Sequence, residues 1–436
     1  VVAKTDTTDE KTATHVHALP PSRRRDLPIE GQLLLLVTMG LTAFGSVMVY
    51  SASSPLAMTS GEYGHDPLYF VKHGIVFTLI GVLLMLLAMR VPAGWMKVGG
   101  PSMLLVSLIL LAAVLVPGVG QYINGARRWI AIGPISVQPS ELAKVALLGT
   151  FAALLAARKR PPQTLLELLR PIGIVTAIAC GLVLAEPDLG SAIAIAIAVF
   201  AMLFIAGTPG RLLGLVAVTG LGLAIASIWS APYRRQRFFA FLDPGTHASA
   251  ASWQPVQGRI HFAAGGWSGS GIGAGTGKNS FVPEAHTDMI FSVIGEETGL
   301  IGSVLVIAAF AIFTWAGFRI AMRARDRFQQ ILAAGATALI AGQAAINVGA
   351  VVGILPLTGV PLPLISYGSS SKVVMLLIVG VLLSICRDGK VPGERTRSVP
   401  DDAARAVRDD VGAARARRAP KAPSGVAAAR ARGRSR

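Results

Sequence analysis

The sequence predicts an all-α polytopic membrane protein of about ten transmembrane helices, with one long extracytoplasmic loop. Three observations carry that prediction. Only 14% of the 436 residues are charged, against about 25% in soluble domains. Hydrophobic residues make up 53%, and the mean hydropathy is +0.59. The apolar residues also come in blocks of about 20, the length that crosses a bilayer core. This pattern excludes a soluble enzyme and a disordered chain.

Residues 1–29 are polar and place Arg23, Arg24 and Arg25 just before the first apolar run. They read as a disordered cytoplasmic arm. No cleavable signal peptide is expected, because the run beginning near Leu33 is long enough to span. Ten apolar segments follow, at 32–52, 69–90, 99–117, 140–157, 170–186, 189–206, 211–231, 295–318, 330–353 and 369–386. Breaks at Glu186–Asp188 and at Gly207–Gly210 are required, since each joined stretch would exceed about 35 residues. Residues 30–387 therefore form the membrane domain. Residues 388–436 are an Ala/Arg/Pro-rich cytoplasmic tail with no apolar face, disordered by composition.

Lys and Arg in short loops set the orientation. With the N-terminus inside, the inner loops carry Arg90, Lys97, Arg158, Lys159, Arg160, Arg170, Arg211, Arg319, Arg323, Arg325 and Arg327. Both termini are then cytoplasmic. The outer loops 53–68, 187–188 and 354–368 carry no Lys or Arg. The net charge of +17 reflects this topology, and no nucleic-acid partner is expected. Arg127, Arg128, Arg234, Arg235 and Arg237 break the rule by lying outside, and an anionic ligand is one reason for them. The outer loop 232–287 is the only long one, and its aromatics argue for packing at the membrane interface. Cys180 and Cys386 read as packing residues.

Two phosphate-loop-like strings fail. Gly269–Gly277 lacks dinucleotide-binding spacing and reads as a flexible glycine hinge, and Gly277-Lys278-Asn279 lacks the hydroxyl residue of a phosphate loop. The histidines have no metal-ligand spacing, and no serine nucleophile elbow occurs.

Four clusters near span ends remain, informative because charge is costly in lipid. The first runs from Asn124-Gly-Ala-Arg-Arg to Gln138-Pro-Ser-Glu-Leu-Ala-Lys144. Glu141 and Lys144 share a helix face, either as an ion pair or as substrate ligands. The second, Glu186-Pro-Asp-Leu-Gly-Ser191, reads first as a capping turn. In the third, Glu284, His286, Asp288, Glu296 and Glu297 crowd the bilayer lip; Thr287 or Asp288 is a possible helix N-cap, and the group also suits acid/base work. The fourth, Gly353 to Ser371, is rich in Pro and Gly and reads as a re-entrant segment.

Together these strings resemble the SEDS family (shape, elongation, division and sporulation), which includes the FtsW and RodA proteins. The resemblance runs from about Gln32 to Arg387. The Gly295-Glu-Glu-Thr-Gly string and the basic tail look more like the FtsW division branch. Ser369 departs from the pattern, standing where the family usually has a second Gly.

The resemblance implies a peptidoglycan glycosyltransferase. It would polymerise lipid II at the outer face of the bacterial cytoplasmic membrane, at the division septum. Its implied partners are a class B penicillin-binding transpeptidase and other divisome membrane proteins. Asp288 matches the family's essential aspartate and is the implied general base, with His286 in reserve. Lys144, Glu141, Arg127, Arg128, Gln138, Arg234, Glu284, His286, Thr287, Ser366 and Ser370 are the candidate substrate-binding residues. The departing pyrophosphate needs cationic or metal stabilisation, which leaves a divalent cation such as Mg2+ or Mn2+ open. Two other classes compete: a lipid II flippase and a non-catalytic scaffold. A flippase should line the membrane centre with charge, whereas the charged clusters here lie at the outer ends.

Overall fold

A computed structural model describes residues 27–389, apart from 124, 134, 244–249, 279–281 and 283. The N-terminal arm to residue 26, the tail from 390, Asn279 and Pro283 lie outside the described residues.

Ten helical passes are present among the described residues: nine helices long and apolar enough to cross a membrane, and one of 17 residues, the short end of the spanning range. They are α1 (Ile29–Thr59), α2 (Tyr69–Arg90), α3 (Trp95–Val114), α4 (Pro139–Ala157), α5 (Leu165–Leu168) running through a π turn into α6 (Ile174–Ala185), α7 (Leu189–Ile205), α8 (Gly210–Trp229), α11 (Ile290–Arg323), α12 (Arg327–Val351) and α13 (Ser369–Asp388). The two required breaks are where the sequence puts them. Asp188 caps α7, its Oδ1 accepting from Ser191 N at 2.9 Å. α4, α12 and α13 are mostly buried and form the centre, while α2, α6 and α8 leave most of their apolar surface for lipid.

Four details differ from the sequence prediction. α1 continues to Thr59, past the expected end at 52, because Ala52, Ser53 and Ala57 are buried against the bundle. α11 begins at Ile290, not 295, since Ile290, Phe291, Val293 and Ile294 are all buried; it kinks at Gly299, whose φ is +67°. The long outer loop holds two helices, α9 (Pro232–Leu242) and α10 (Ala250–Ala264). Finally, the connection after α3 is a small antiparallel sheet, β1 (Gly120–Ile123), β2 (Ala126–Ile132) and β3 (Ile135–Val137), ordered β1-β2-β3. Alternate connections gather at opposite ends of the bundle. At one end Arg323 pairs with Glu30, Arg327 donates to Ala206 O at 2.9 Å, and Arg158 donates to Arg170 O at 2.7 Å. The other end carries the sheet, α9, α10 and the Pro-rich segment.

That Pro-rich segment, 352–368, is non-helical, exposed at Ile354 and Leu355 and largely buried from Val360 to Ser366. Leu362, Leu364 and Ile365 are at most 2% exposed. Gly45 of α1 makes room for it: a Cβ there would lie 2.5 Å from Ile365 Cα. Irregular backbone at this depth is tolerated because protein, not lipid, surrounds it.

Candidate active site

A cavity of about 350 Å³ opens at the end bearing the sheet. Its walls come from β2, the start of α4, the α6–α7 turn, the α8–α9 junction, α10, the segment before α11, and the Pro-rich segment. Seven of the expected site residues line it: Arg128, Gln138, Glu141, Arg234, Glu284, Thr287 and Asp288.

Asp288 is one residue upstream of the N-cap of α11. That cap is Met289 and makes no side-chain hydrogen bond, so Asp288 does not serve as the cap. Its backbone is pinned instead. Asn347 of α12 donates from Nδ2 to Asp288 O at 2.7 Å and to Val360 O at 2.8 Å, tying the aspartate to the Pro-rich segment. Thr287 Oγ1 donates to Glu284 Oε2 at 3.0 Å and lies 3.4 Å from Asp288 Oδ1. Gln254 Nε2 also lies 3.4 Å from Asp288 Oδ1. Glu284 holds a left-handed φ of +55°, a strain of about 1–3 kcal/mol of the kind concentrated at functional sites. Burial pushes the Asp288 carboxyl up to about 6; the Arg237 charge opposes this and Glu284 adds to it.

Two arginines are fixed on main-chain carbonyls. Arg128 donates from Nε to Glu186 O at 2.8 Å and from Nη2 to Pro187 O. Arg234 donates from Nη1 to Ser227 O at 3.0 Å and Oγ at 2.6 Å, and from Nη2 to Leu184 O at 2.7 Å. Carbonyls orient a guanidinium without neutralising it, so both charges remain available to an anion.

The other expected residues have different places. Lys144 is buried and donates to Glu141 Oε1 at 2.7 Å. It does not line the cavity, and it acts there only through Glu141. Arg127 lies over the Tyr122 ring at 5.7 Å, off the cavity wall. His286 is packed among aromatics, its ring tilted against Phe70 at 4.7 Å and Tyr367 at 5.6 Å, and burial lowers its pKa. Ser366 Oγ accepts from Leu362 N at 2.8 Å, closing the Pro-rich turn. Ser370 Oγ donates to Ser136 O at 2.8 Å, docking α13 on β3. Ser369 simply begins α13, so its Cβ meets no left-handed bend. Glu296 and Glu297, expected beside Asp288, instead bind the glycine segment 269–278.

Sequence reasoning missed Asn347, Gln254 and the cavity-facing role of Asp188, and singled out Arg237 only as one of the arginines against the charge rule. Asn347 had a signal, an amide within an apolar span. Among the described residues, no three His, Cys, Asp or Glu side chains are grouped as a metal site. A divalent ion would have to take several ligands from a substrate diphosphate.

The sequence matches the FtsW/RodA/SpoVE family, described as cell cycle proteins, over residues 31–390. The chain belongs to this family. A relative from Trichlorobacter lovleyi, named a probable peptidoglycan glycosyltransferase FtsW, is 40% identical over 358 residues, covering 81% of this chain and 92% of its own. Stage V sporulation protein E of Bacillus subtilis is 35% identical, covering 81% and 96%. Two solved structures share the fold of these family members. A chain from a peptidoglycan synthase complex that coordinates polymerization and crosslinking has a TM-score of 0.66 at 30% identity, covering 81% of this chain and 97% of that one. The rod shape determining protein RodA of Thermus thermophilus has a TM-score of 0.61 at 28% identity, covering 82% and 97%.

Proposed function

We propose that the chain is a peptidoglycan glycosyltransferase that polymerises lipid II at the outer face of the cytoplasmic membrane during division, with Asp288 as general base. The observation that carries the reading is one cavity holding both a carboxylate and two uncompensated guanidiniums, Asp288 with Arg128 and Arg234. Glycosyl transfer from a lipid diphosphate needs that pair of chemistries. The acceptor sugar hydroxyl loses its proton to a carboxylate as its oxygen attacks the anomeric carbon. The bond from that carbon to the diphosphate oxygen breaks, and the growing negative charge is met by guanidiniums. A base and a leaving-group site on opposite faces of the sugar fit single displacement with inversion.

The pKa of about 6 at Asp288 leaves the group largely ionised at neutral pH yet more basic than an ordinary aspartate, the compromise general-base catalysis favours. A cavity at the bundle end lets the polyprenyl tail stay in lipid while the sugars stay in water. Its position also supports polymerisation over flipping, which needs charge at the membrane centre. A class B penicillin-binding transpeptidase is the proposed partner, consistent with the similar chain in a polymerising and crosslinking complex.

The test is polymerisation of labelled lipid II by purified protein, with and without the transpeptidase. Wild type makes glycan strands, and Asp288→Asn, which keeps the shape, folds but loses at least about 10²–10⁴-fold. Near-normal polymerisation by Asp288→Asn would end the base assignment.

A further inference from the structure

Three arginines reach the cavity, and they are not equivalent. Arg128 and Arg234 are each held by main-chain carbonyls. Arg237, one turn along α9 from Tyr233, makes no hydrogen bond or ion pair among the described residues. Its guanidinium Cζ rests 4.7 Å over the Tyr233 ring. The same face of α9 presents Phe238, and Ile228 lies nearby, so this side of the cavity is an apolar wall. A half-buried cation that rests on an aromatic face and is hydrogen-bonded to no carboxylate among the described residues has its hydrogen-bonding capacity unused.

We infer that Arg237 is the mobile catalytic cation of the site: it swings from the Tyr233 ring onto the diphosphate of the lipid-linked donor, and it stays on that diphosphate as the leaving group departs. Stacking on a ring is weak beside bidentate, charge-assisted bonds to phosphate oxygens, so arrival of the diphosphate favours the swing. Arg128 and Arg234 cannot follow, since each would have to abandon its carbonyls. The inference rests on the glycosyltransferase reading and adds a residue and a movement to it.

The movement has a second consequence. Asp288 faces Arg237 from α9 and Glu284 from its own segment; Glu141, Asp188, Arg128 and Arg234 share the cavity. Arg237 holds the Asp288 carboxyl down and Glu284 pushes it up. Once a diphosphate takes the guanidinium, its charge no longer restrains the carboxylate. Donor binding therefore strengthens the base when a substrate is present to use it.

The experiment measures direct binding of undecaprenyl diphosphate and undecaprenyl monophosphate to full-length protein in nanodiscs, alongside lipid II turnover. Wild type is expected to prefer the diphosphate by about tenfold or more. Arg237→Gln should lose most of that preference and about 10²-fold or more in kcat, with a smaller change in KM. The acid limb of its kcat/KM profile should move to higher pH, because the charge holding Asp288 down is gone. A purely structural arginine would move neither the diphosphate ratio nor the limb. Should Arg237→Gln not be recovered folded, Arg237→Lys carries the test: it keeps the charge but not the planar fork, and diphosphate affinity should fall while monophosphate affinity holds. An unchanged ratio in a folded variant, or no diphosphate preference in wild type, overturns the inference. Wild type that binds the diphosphate through Arg237 but never polymerises lipid II would instead overturn the glycosyltransferase reading alone.

Discussion

Glu186 sits beneath the cavity wall with 0% of its surface exposed, and neither carboxylate oxygen has a hydrogen-bond partner among the described residues. Burial pushes its pKa up to about 8; Asp188 adds to this and Arg128 opposes it. At neutral pH it is a neutral acid, which is how a lone buried carboxyl avoids the cost of charge. The sign of its pH effect follows. The folded state keeps the proton up to about pH 8, whereas the unfolded chain releases it near 4.5. Raising the pH between those values therefore favours unfolding, and the stability present below 4.5 drains away as pH approaches 8. Glu186→Gln keeps the shape without the proton. Its thermal midpoint should fall less than that of wild type between about pH 5 and about pH 8.5. Parallel curves for the two proteins would show that Glu186 ionises without cost. The contrast with Lys144 is instructive, since that equally buried charge has a partner 2.7 Å away in Glu141.

At the scale of elements, the segment 265–278 shows how a glycine-rich string becomes rigid. Glu297 accepts from Lys278 Nζ at 2.7 Å, Ser51 Oγ at 2.6 Å and Gly273 N at 3.0 Å. Glu296 accepts from Thr276 N at 2.7 Å and Gly277 N at 3.1 Å. The glycines let the backbone close around the two carboxylates: a Cβ at Gly277 would lie 2.9 Å from Glu296 Oε2, and one at Gly275 3.0 Å from Glu297 Oε1. Glu297→Ala strands the Lys278 ammonium in a buried place, and breaking such a pair costs about 3–5 kcal/mol. Amide exchange across 269–278 should accelerate far more than across α12, and the melting midpoint should drop. If exchange there stays at the wild-type rate, the carboxylates do not hold the segment. The sequence suggested a hinge here because glycine advertises freedom, and nothing local reveals glutamates about twenty residues away. The ten passes were legible because lipid enforces length and composition on each separately. The small sheet was overlooked, although Asn124-Gly125 between β1 and β2 is a strong hairpin signal. Within the site, charges at span ends stood out because they are costly there. Asn347 and Gln254 are neutral and passed unseen, while His286, Ser366 and Ser370 share motifs with site residues yet hold the fold together.

Across the whole molecule, every wall of the cavity comes from one end of the bundle, and the arginines paired with main chain or Glu30 at the other end mark the opposite face. Ten passes put both ends of the membrane domain on one side, and in the proposed orientation the loops rich in Arg and Lys make that side the cytoplasmic one. The proposed function depends on this sidedness, because lipid-linked sugars can join a growing wall only outside. Two single cysteines test it. Trp267 is 75% exposed at the cavity end, and Arg325 is exposed between α11 and α12 at the other. Background is low, since Cys386 is buried and Cys180 half-buried. A membrane-impermeant maleimide added to intact cells should label Trp267→Cys and spare Arg325→Cys until the cells are opened. Labelling of Arg325→Cys alone would turn the molecule over. The cavity would then face the cytoplasm, where a polymerase of exported precursor has no substrate to join, and a role in moving the lipid-linked precursor across the membrane would become the better account of the same arginines and the same aspartate.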